Sequence, residues 1–299
     1  MNTEVANPPA ESATERFELV PLAGGIHSLR SLANGQTFHP VVGPAAEAEA
    51  VHVAGTRLVE RANAMPGHCL VIWDVGLGAA ANALAAVRAL VAGYRHSEEV
   101  MLFSFDRSLG ALEFALANAE ALGYPVGYEP ALRSLLARRS VDIPVGDTQI
   151  FWRVVRDDFP TVLAHPAKFF PPHAIFYDPY SPTVNPEMWT LETFAALRGR
   201  TDRAHPCLLT TYTRSTAVRV TLLLAGWFVG IGGATGEKDE TTVAANVPEL
   251  LERPLGRAWL EKKVYASTNA APLRAGMGDV RGPISEEDFA RLKAHPQFA

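Results

Sequence analysis

HCLVIWDVGLGAAAN, residues 68–82, decides how the rest of the chain reads. A short apolar run ends in an acid, Asp74. Gly76 and Gly78 follow, and then an alanine- and leucine-rich segment from Ala79 to Ala92. An uninterrupted apolar run of this length suits a strand buried on both faces, and the segment behind it suits a helix. Two glycines between them let the backbone come close to a ligand at the strand's carboxyl end, where parallel α/β sheets bind ligands. Ala80 stands where a third glycine is usual, so the full dinucleotide fingerprint is missing.

The same grammar repeats downstream. VMLFSFD (100–106) ends in Asp106, QIFWRVV (149–155) leads to Asp157-Asp158, and AIFYD (174–178) ends in Asp178. HPCLLTTYT (205–213) is a fifth run. Leu109–Leu122 with Gly123, MWTLETFAALRG, and Ser215–Ala225 with Gly226 read as helices. GWFVGIGG and ETTVAAN (240–246) read as two closing strands with no helix between them, hence an antiparallel pair at one edge. Strands alternating with helices predict an α/β, Rossmann-like fold. The sheet is expected to be seven-stranded and mostly parallel, with an antiparallel edge strand.

Upstream, residues 17–40 carry turn signals at Gly24-Gly25 and Asn34-Gly35 and read as hairpins. Residues 43–64 read as a helix. The expected organisation is a flexible lead-in (1–16), a β-hairpin and helix extension (17–66), the cofactor domain (67–250) and a tail (251–299). The tail ends in SEEDFARLKAH, whose Ser285 and Asp288 have capping-box spacing.

Composition narrows the class. Of 299 residues, 48% are hydrophobic and 20% charged, which is ordinary globular usage. No run of about 18 apolar residues is present, so no membrane span is expected. The first residues lack the basic and apolar regions of a signal peptide. Cys69 and Cys207 sit in apolar runs and read as buried thiols. A cytoplasmic location is therefore expected. Nine histidines are scattered without metal-ligand spacing, so no metal is expected. The net charge of −5 argues against binding nucleic acid by bulk electrostatics, and no DNA partner is expected. A local basic face drawn from Arg30, Arg107, Arg133, Arg138, Arg139, Arg153, Arg156, Lys168, Arg198 and Arg200 stays open. The oligomeric state does not follow from the sequence.

Each strand-end acid has a role to offer. Asp74, Gly76, Gly78 and Asn82 form the first loop. Asp106, one strand–helix–strand unit later, is placed to hold both hydroxyls of a ribose, or to cap the next helix. Asp157 or Asp158, with Asp158 preferred, is placed to accept from an adenine amino group, or again to cap a helix. Asp178 opens Asp-Pro-Tyr, which is similar to the (Asp/Asn)-Pro-Pro-(Tyr/Phe) motif of amino-group methyltransferases. There an oxygen holds the target nitrogen and an aromatic ring packs beside it. Ribose and adenine seats without the third glycine point to S-adenosylmethionine rather than a nicotinamide dinucleotide. A Rossmann-like class I S-adenosylmethionine-dependent methyltransferase is the fold expected.

FYDPYSPTVNPEMWT (176–190) resembles the signature of the methyltransferase domain of the tRNA 5-methylaminomethyl-2-thiouridine biosynthesis protein, the MnmC-like family. DVGLGAAAN resembles its cofactor loop, and TYTRSTAVRVTLLLAGWFV and, more loosely, GEKDETTVA resemble later segments. FHPVVGPAAEAEAVHV resembles an upstream stretch. The likeness spans roughly residues 18 to 250. It implies methyl transfer to the amine of 5-aminomethyl-(2-thio)uridine at the tRNA wobble position, with tRNA as partner. It implies a stand-alone methyltransferase, without the flavin-dependent oxidoreductase domain of bifunctional members. Asp178 and Tyr180 become the expected catalytic residues, and Pro179, Tyr212 and Lys238 the expected substrate contacts. The alternatives are a methyltransferase of this fold acting on a small-molecule or protein amine, and a non-catalytic S-adenosylmethionine-binding protein.

Overall fold

The structure is a computed structural model and describes residues 15–39, 41–165, 169–236, 238–278 and 282–299. Most of the expected lead-in, and Lys168, lie outside the described residues. Ten strands are present among the described residues. They are β1 (Phe17–Pro21), β2 (His27–Ser31), β3 (Leu70–Val75), β4 (Val100–Asp106), β5 (Ser140–Val145), β6 (Thr148–Arg156), β7 (Ala174–Tyr177), β8 (Leu208–Thr211), β9 (Phe228–Gly232) and β10 (Thr241–Ala245).

The first two pair as an antiparallel hairpin, and the other eight form one sheet in the order β5-β6-β4-β3-β7-β8-β10-β9. The core β6-β4-β3-β7-β8 is parallel throughout. Strand β10 lies antiparallel between β8 and β9, so the closing antiparallel pair is present, with its reversed strand one place inside the edge. The sheet has eight strands rather than seven. The addition is β5, an antiparallel edge strand joined to β6 by a tight turn at Gly146-Asp147. Its sequence, SVDIPV, holds an aspartate and a proline, which an edge strand tolerates and a central one does not.

All six residues of β3 are buried. Alternation along the strand sends Leu70 and Ile72 to one face and Val71, Trp73 and Val75 to the other. The first face packs under the helix Ala81–Gly93, through Leu84, Val87 and Leu90. The second packs under Leu191–Arg198 and Thr216–Leu224, through Phe194, Leu197, Val220 and Leu223. Each such side chain removed from water contributes roughly 1.5–3 kcal/mol, and helices on both faces follow from the parallel sheet.

The expected helix over 43–64 is broken into Pro44–Ala48, a π-helical turn Glu49–Ala54, and Leu58–Asn63 entered through left-handed Arg57. The helix expected over 109–122 is interrupted at Asn118. The last residues are tied down: Gln297 bonds both backbone groups of Val229, Arg274 pairs with Asp288, and Ser285 accepts from the Asp288 amide as an N-cap.

Candidate active site

Strand order reverses about β3. The chain runs from β3 out through β4 and β6, then returns to β7 on the other side. The crevice at that switch point is where an open α/β sheet binds its ligand. A cavity of about 710 Å³ lies there, within the range of small-molecule and cofactor sites.

One half of the cavity is built by the first three strand ends. Gly76 takes φ +92°, and a Cβ on it would meet the Asp178 carbonyl oxygen at 2.6 Å. Only glycine lets the β3 and β7 strand ends approach so closely. Ala80 adopts the left-handed backbone, φ +64°, that a third glycine would take freely, so the loop keeps its turn with alanine. Asp106 Oδ2 accepts from the Gly78 amide at 2.9 Å and Oδ1 from the Ser108 amide at 3.1 Å. Each oxygen keeps a lone pair for a ligand. Burial pushes the Asp106 carboxyl up, against the pull of those amides. Phe105 and Phe159, 5.1 Å apart, line the same half.

Asp157 and Asp158 both line the cavity. Asp158 is the N-cap of Phe159–Ala164, accepting from Thr161 N and Oγ1, and Asp157 is the more exposed of the two. The preferred Asp158 is thus the residue already engaged as a cap, which leaves Asp157 the freer acid. Asp74 does not line the cavity. Its side chain is wholly buried in the sheet, with Oδ2 accepting from Ser104, whose hydroxyl also accepts from Trp152 Nε1. Burial pushes its carboxyl up to about 8. Its side chain lies on the Leu70 and Ile72 face of β3, bonded within the sheet, while the neighbouring Gly76, Gly78 and Asn82 line the cavity.

The other half centres on Asp178, just past β7. Its amide bonds the Val75 carbonyl, which fixes the strand end. Asn82 Nδ2 donates to its Oδ2 at 2.8 Å. His39 Nε2 and His52 Nε2 stand 3.8 and 3.9 Å from the same oxygen. Burial pushes the Asp178 carboxyl up, but His52, the charge of His39 and the Asn82 amide outweigh it and hold it below the usual carboxylate range. His52 Nδ1 is held by Thr210 Oγ1 at 2.9 Å. Glu47 Oε1 lies 3.6 Å from His39 Nδ1.

Pro179 and Tyr180 line the cavity beside Asp178. The Tyr180 carbonyl accepts from Trp189 Nε1, its ring meets Phe38 edge-on, and burial pushes its hydroxyl up to about 12. Tyr212 packs edge-on to Trp189, and Lys238 Nζ sits 4.6 Å above the Tyr212 ring. Lys238 and Tyr212 thus close one wall together. Glu240 is drawn away to the buried Arg219.

His39, Glu47, His52 and Phe38 were not singled out by residue-level reading. They come from the N-terminal extension, which folds over the mouth: Gln36 Nε2 donates to Ser181 Oγ at 2.6 Å. The signal available was the upstream stretch FHPVVGPAAEAEAVHV, which contains all four. The supposed basic residues do not gather at the site. Arg198 and Arg200 are spent on backbone carbonyls and Arg153 on Asp142, while among the described members of the set Arg107 alone lines the cavity, pairing with Glu187. Among the described residues there is no cluster of three or more metal-ligating side chains, and no helix is long and apolar enough to cross a membrane.

Residues 134–247 match a family described as S-adenosyl-L-methionine-dependent methyltransferase. The structure is similar to MNMC2 from Aquifex aeolicus over 96% of this chain and 85% of that one, at 25% identity and a TM-score of 0.67. Fainter similarity reaches human methyltransferase-like protein 13 in complex with SAH (11% identity, 84% and 90% covered, TM-score 0.39). A probable spermidine synthase from Corynebacterium glutamicum gives 13% identity, 77% and 75% covered, and a TM-score of 0.43. No curated protein sequence matches. The fold is that of a Rossmann-like class I methyltransferase, and residues 134–247 carry the match to the S-adenosylmethionine-dependent family. More narrowly, the chain resembles the MnmC-like methyltransferase MNMC2.

The glycine cradle, the Asp106 lone pairs and the apolar wall of Phe105 and Phe159 are of a chemistry that could hold the cofactor's methionine moiety, ribose and adenine in turn.

Proposed function

We propose that this protein methylates the primary amine of 5-aminomethyl-(2-thio)uridine at the wobble position of tRNA, giving the 5-methylaminomethyl nucleoside. The observation that carries this reading is the Asp178 seat. A carboxylate held ionised beside the glycine loop, walled by Tyr180 and Tyr212, suits a cationic alkylamine next to a methyl donor. Similarity to MNMC2 over nearly the whole chain supports it.

S-adenosylmethionine supplies a methyl group already activated by its sulfonium. The protein's task is then mainly positioning. Asp178 binds the amine and aims its lone pair. Asn82 and His52 fix the carboxylate from behind. Pro179 holds the backbone at one φ and keeps the turn stiff. Tyr180 and Tyr212 present aromatic faces on which a pyrimidine can stack. Lys238 lies on the wall where the base's oxygens or a phosphate would arrive. Asp106 holds the ribose, and Asp157 or Asp158 the adenine. As a tRNA-modifying enzyme it would act in the cytoplasm.

The test is incubation with labelled cofactor and tRNA from cells lacking the terminal methylation, followed by nucleoside mass analysis. A methylated aminomethyluridine is expected. Transfer to small-molecule or protein amines, with tRNA left unlabelled, would refute the tRNA reading.

A further inference from the structure

An alkylammonium cannot attack a methyl group until it loses a proton, and Asp178 is a poor place to leave that proton. Its carboxyl is held below the usual range, and a carboxylate beside an ammonium stabilises the charged amine. A base elsewhere in the cavity would receive that proton more readily.

We propose that His39, oriented by Glu47, takes the acceptor's proton and carries it from Asp178 toward the cavity mouth. His39 Nε2 faces Asp178 Oδ2 at 3.8 Å while Nδ1 faces Glu47 Oε1 at 3.6 Å, and all three residues line the cavity. The arrangement places an imidazole between two carboxylates, one at the acceptor seat and one behind it. The backbone is shaped for it. His39 sits at φ +46°, a left-handed position uncommon outside glycine, where strain concentrates at functional sites. The preceding residue is pinned on both sides: the Phe38 amide bonds Leu29 O at 2.8 Å, and Ser28 Oγ donates to the Phe38 carbonyl. His52 is differently placed. Its Nδ1 is bound to Thr210, it is wholly buried, and it serves as a positioning residue.

The balance is simple. The acceptor nitrogen passes one proton to neutral His39 Nε2, which becomes imidazolium. The nitrogen then forms one bond to carbon, and the carbon–sulfur electron pair stays on the thioether. Imidazolium returns the proton to water. Glu47 acts through His39 and is a positioning residue.

The groups facing His39 are Glu47 from Pro44–Ala48, Asp178 after β7 and Lys238 before β10. His52 and Tyr212 face it across Asp178. Burial lowers the imidazole's affinity for a proton, but Glu47 and Asp178 outweigh burial and the Lys238 charge and raise it.

This inference rests on the amine-methylating reading, so the test has two arms. In the first, imidazole signals of the unloaded protein are followed by NMR against pH. The His39 midpoint should lie above that of free histidine and fall in Glu47→Gln. An unchanged midpoint in that variant overturns the arrangement, whatever the substrate. In the second, transfer to the aminomethyl tRNA is measured against pH. His39→Gln should lower kcat about 10²-fold near neutrality and recover at high pH, where the free amine no longer needs a base. Glu47→Gln should move the acidic limb to lower pH. A deficit in His39→Gln that is equal at all pH values overturns the proton route. Wild-type failure on tRNA would count against the acceptor alone.

Discussion

Asn82 and Asp178, 96 positions apart, meet through a 2.8 Å hydrogen bond that joins the helix after β3 to the end of β7. The bond crosses the switch point, so the cofactor half and the acceptor half of the cavity share one polar contact. Replacing Asp178 with asparagine keeps the shape and removes the charge. Methyl transfer should fall at least about 10²-fold, while calorimetry shows S-adenosylmethionine affinity within a few-fold of wild type. Asn82→Ala should lower transfer by a smaller factor, about ten-fold, because His52 still holds the carboxylate. Equal activity in Asp178→Asn would remove it from the chemistry.

Gly76 makes the approach of the two strand ends possible. An alanine there would carry a Cβ at φ +92° pressed to 2.6 Å from a backbone oxygen, which no rotamer relieves. Gly76→Ala should cost at least about 2 kcal/mol of folding stability and weaken cofactor binding, read by denaturant unfolding and calorimetry. Ala80→Gly makes the opposite change at a left-handed residue. It should leave stability within about 1 kcal/mol, because relief of the backbone offsets the lost buried methyl.

Asp74 predicts a pH signature. Burial raises its folded pKa to about 8 from an ordinary 3.8, with Asp178 and Asp106 adding to the effect and Ser104 opposing it. Between these values the folded chain holds a proton that the unfolded chain releases. The contribution is complete below about pH 4 and is lost as pH rises toward 8, at up to about 1.4 kcal/mol per pH unit. Asp74→Asn cannot titrate. Melting curves at pH 5 and pH 8.5 should show wild type losing at least about 2 °C more than the variant. Parallel losses would mean that Asp74 is ionised in the folded protein.

The parallel core was legible because β3, β4, β6, β7 and β8 are apolar runs ending in polar punctuation, and strand-end acids sit where such sheets bind ligands. Strand β5 was not, since its outward residues Asp142 and Pro144 break the apolar run between Val141, Ile143 and Val145, and its partner is supplied by the neighbouring β6. The kink at Glu49–Ala54 was hidden for a related reason. Alanine-rich sequence favours helix, and only packing selects a π-helical turn that aims His52 at Asp178. Single histidines carry no periodicity. His39 and His52 gain meaning through a carboxylate more than a hundred residues downstream, which local reading does not reach.

The two acids after β6 separate cap from contact. Asp158 accepts from the Thr161 amide at 3.3 Å and hydroxyl at 3.1 Å, so Asp158→Ala removes an N-cap and should cost about 1 kcal/mol of stability. Among the described residues Asp157 caps no helix; its Oδ1 accepts from the adjacent Asp158 amide, and its exposed side chain can turn toward an adenine amino group. Asp157→Ala should therefore leave unfolding unchanged and weaken cofactor binding several-fold, the loss of one hydrogen bond. Paired calorimetry and urea unfolding on the two variants resolve the assignment. If Asp158→Ala weakens cofactor binding and Asp157→Ala does not, the capping carboxylate also serves the adenine, and Asp157 is a surface acid at the cavity rim.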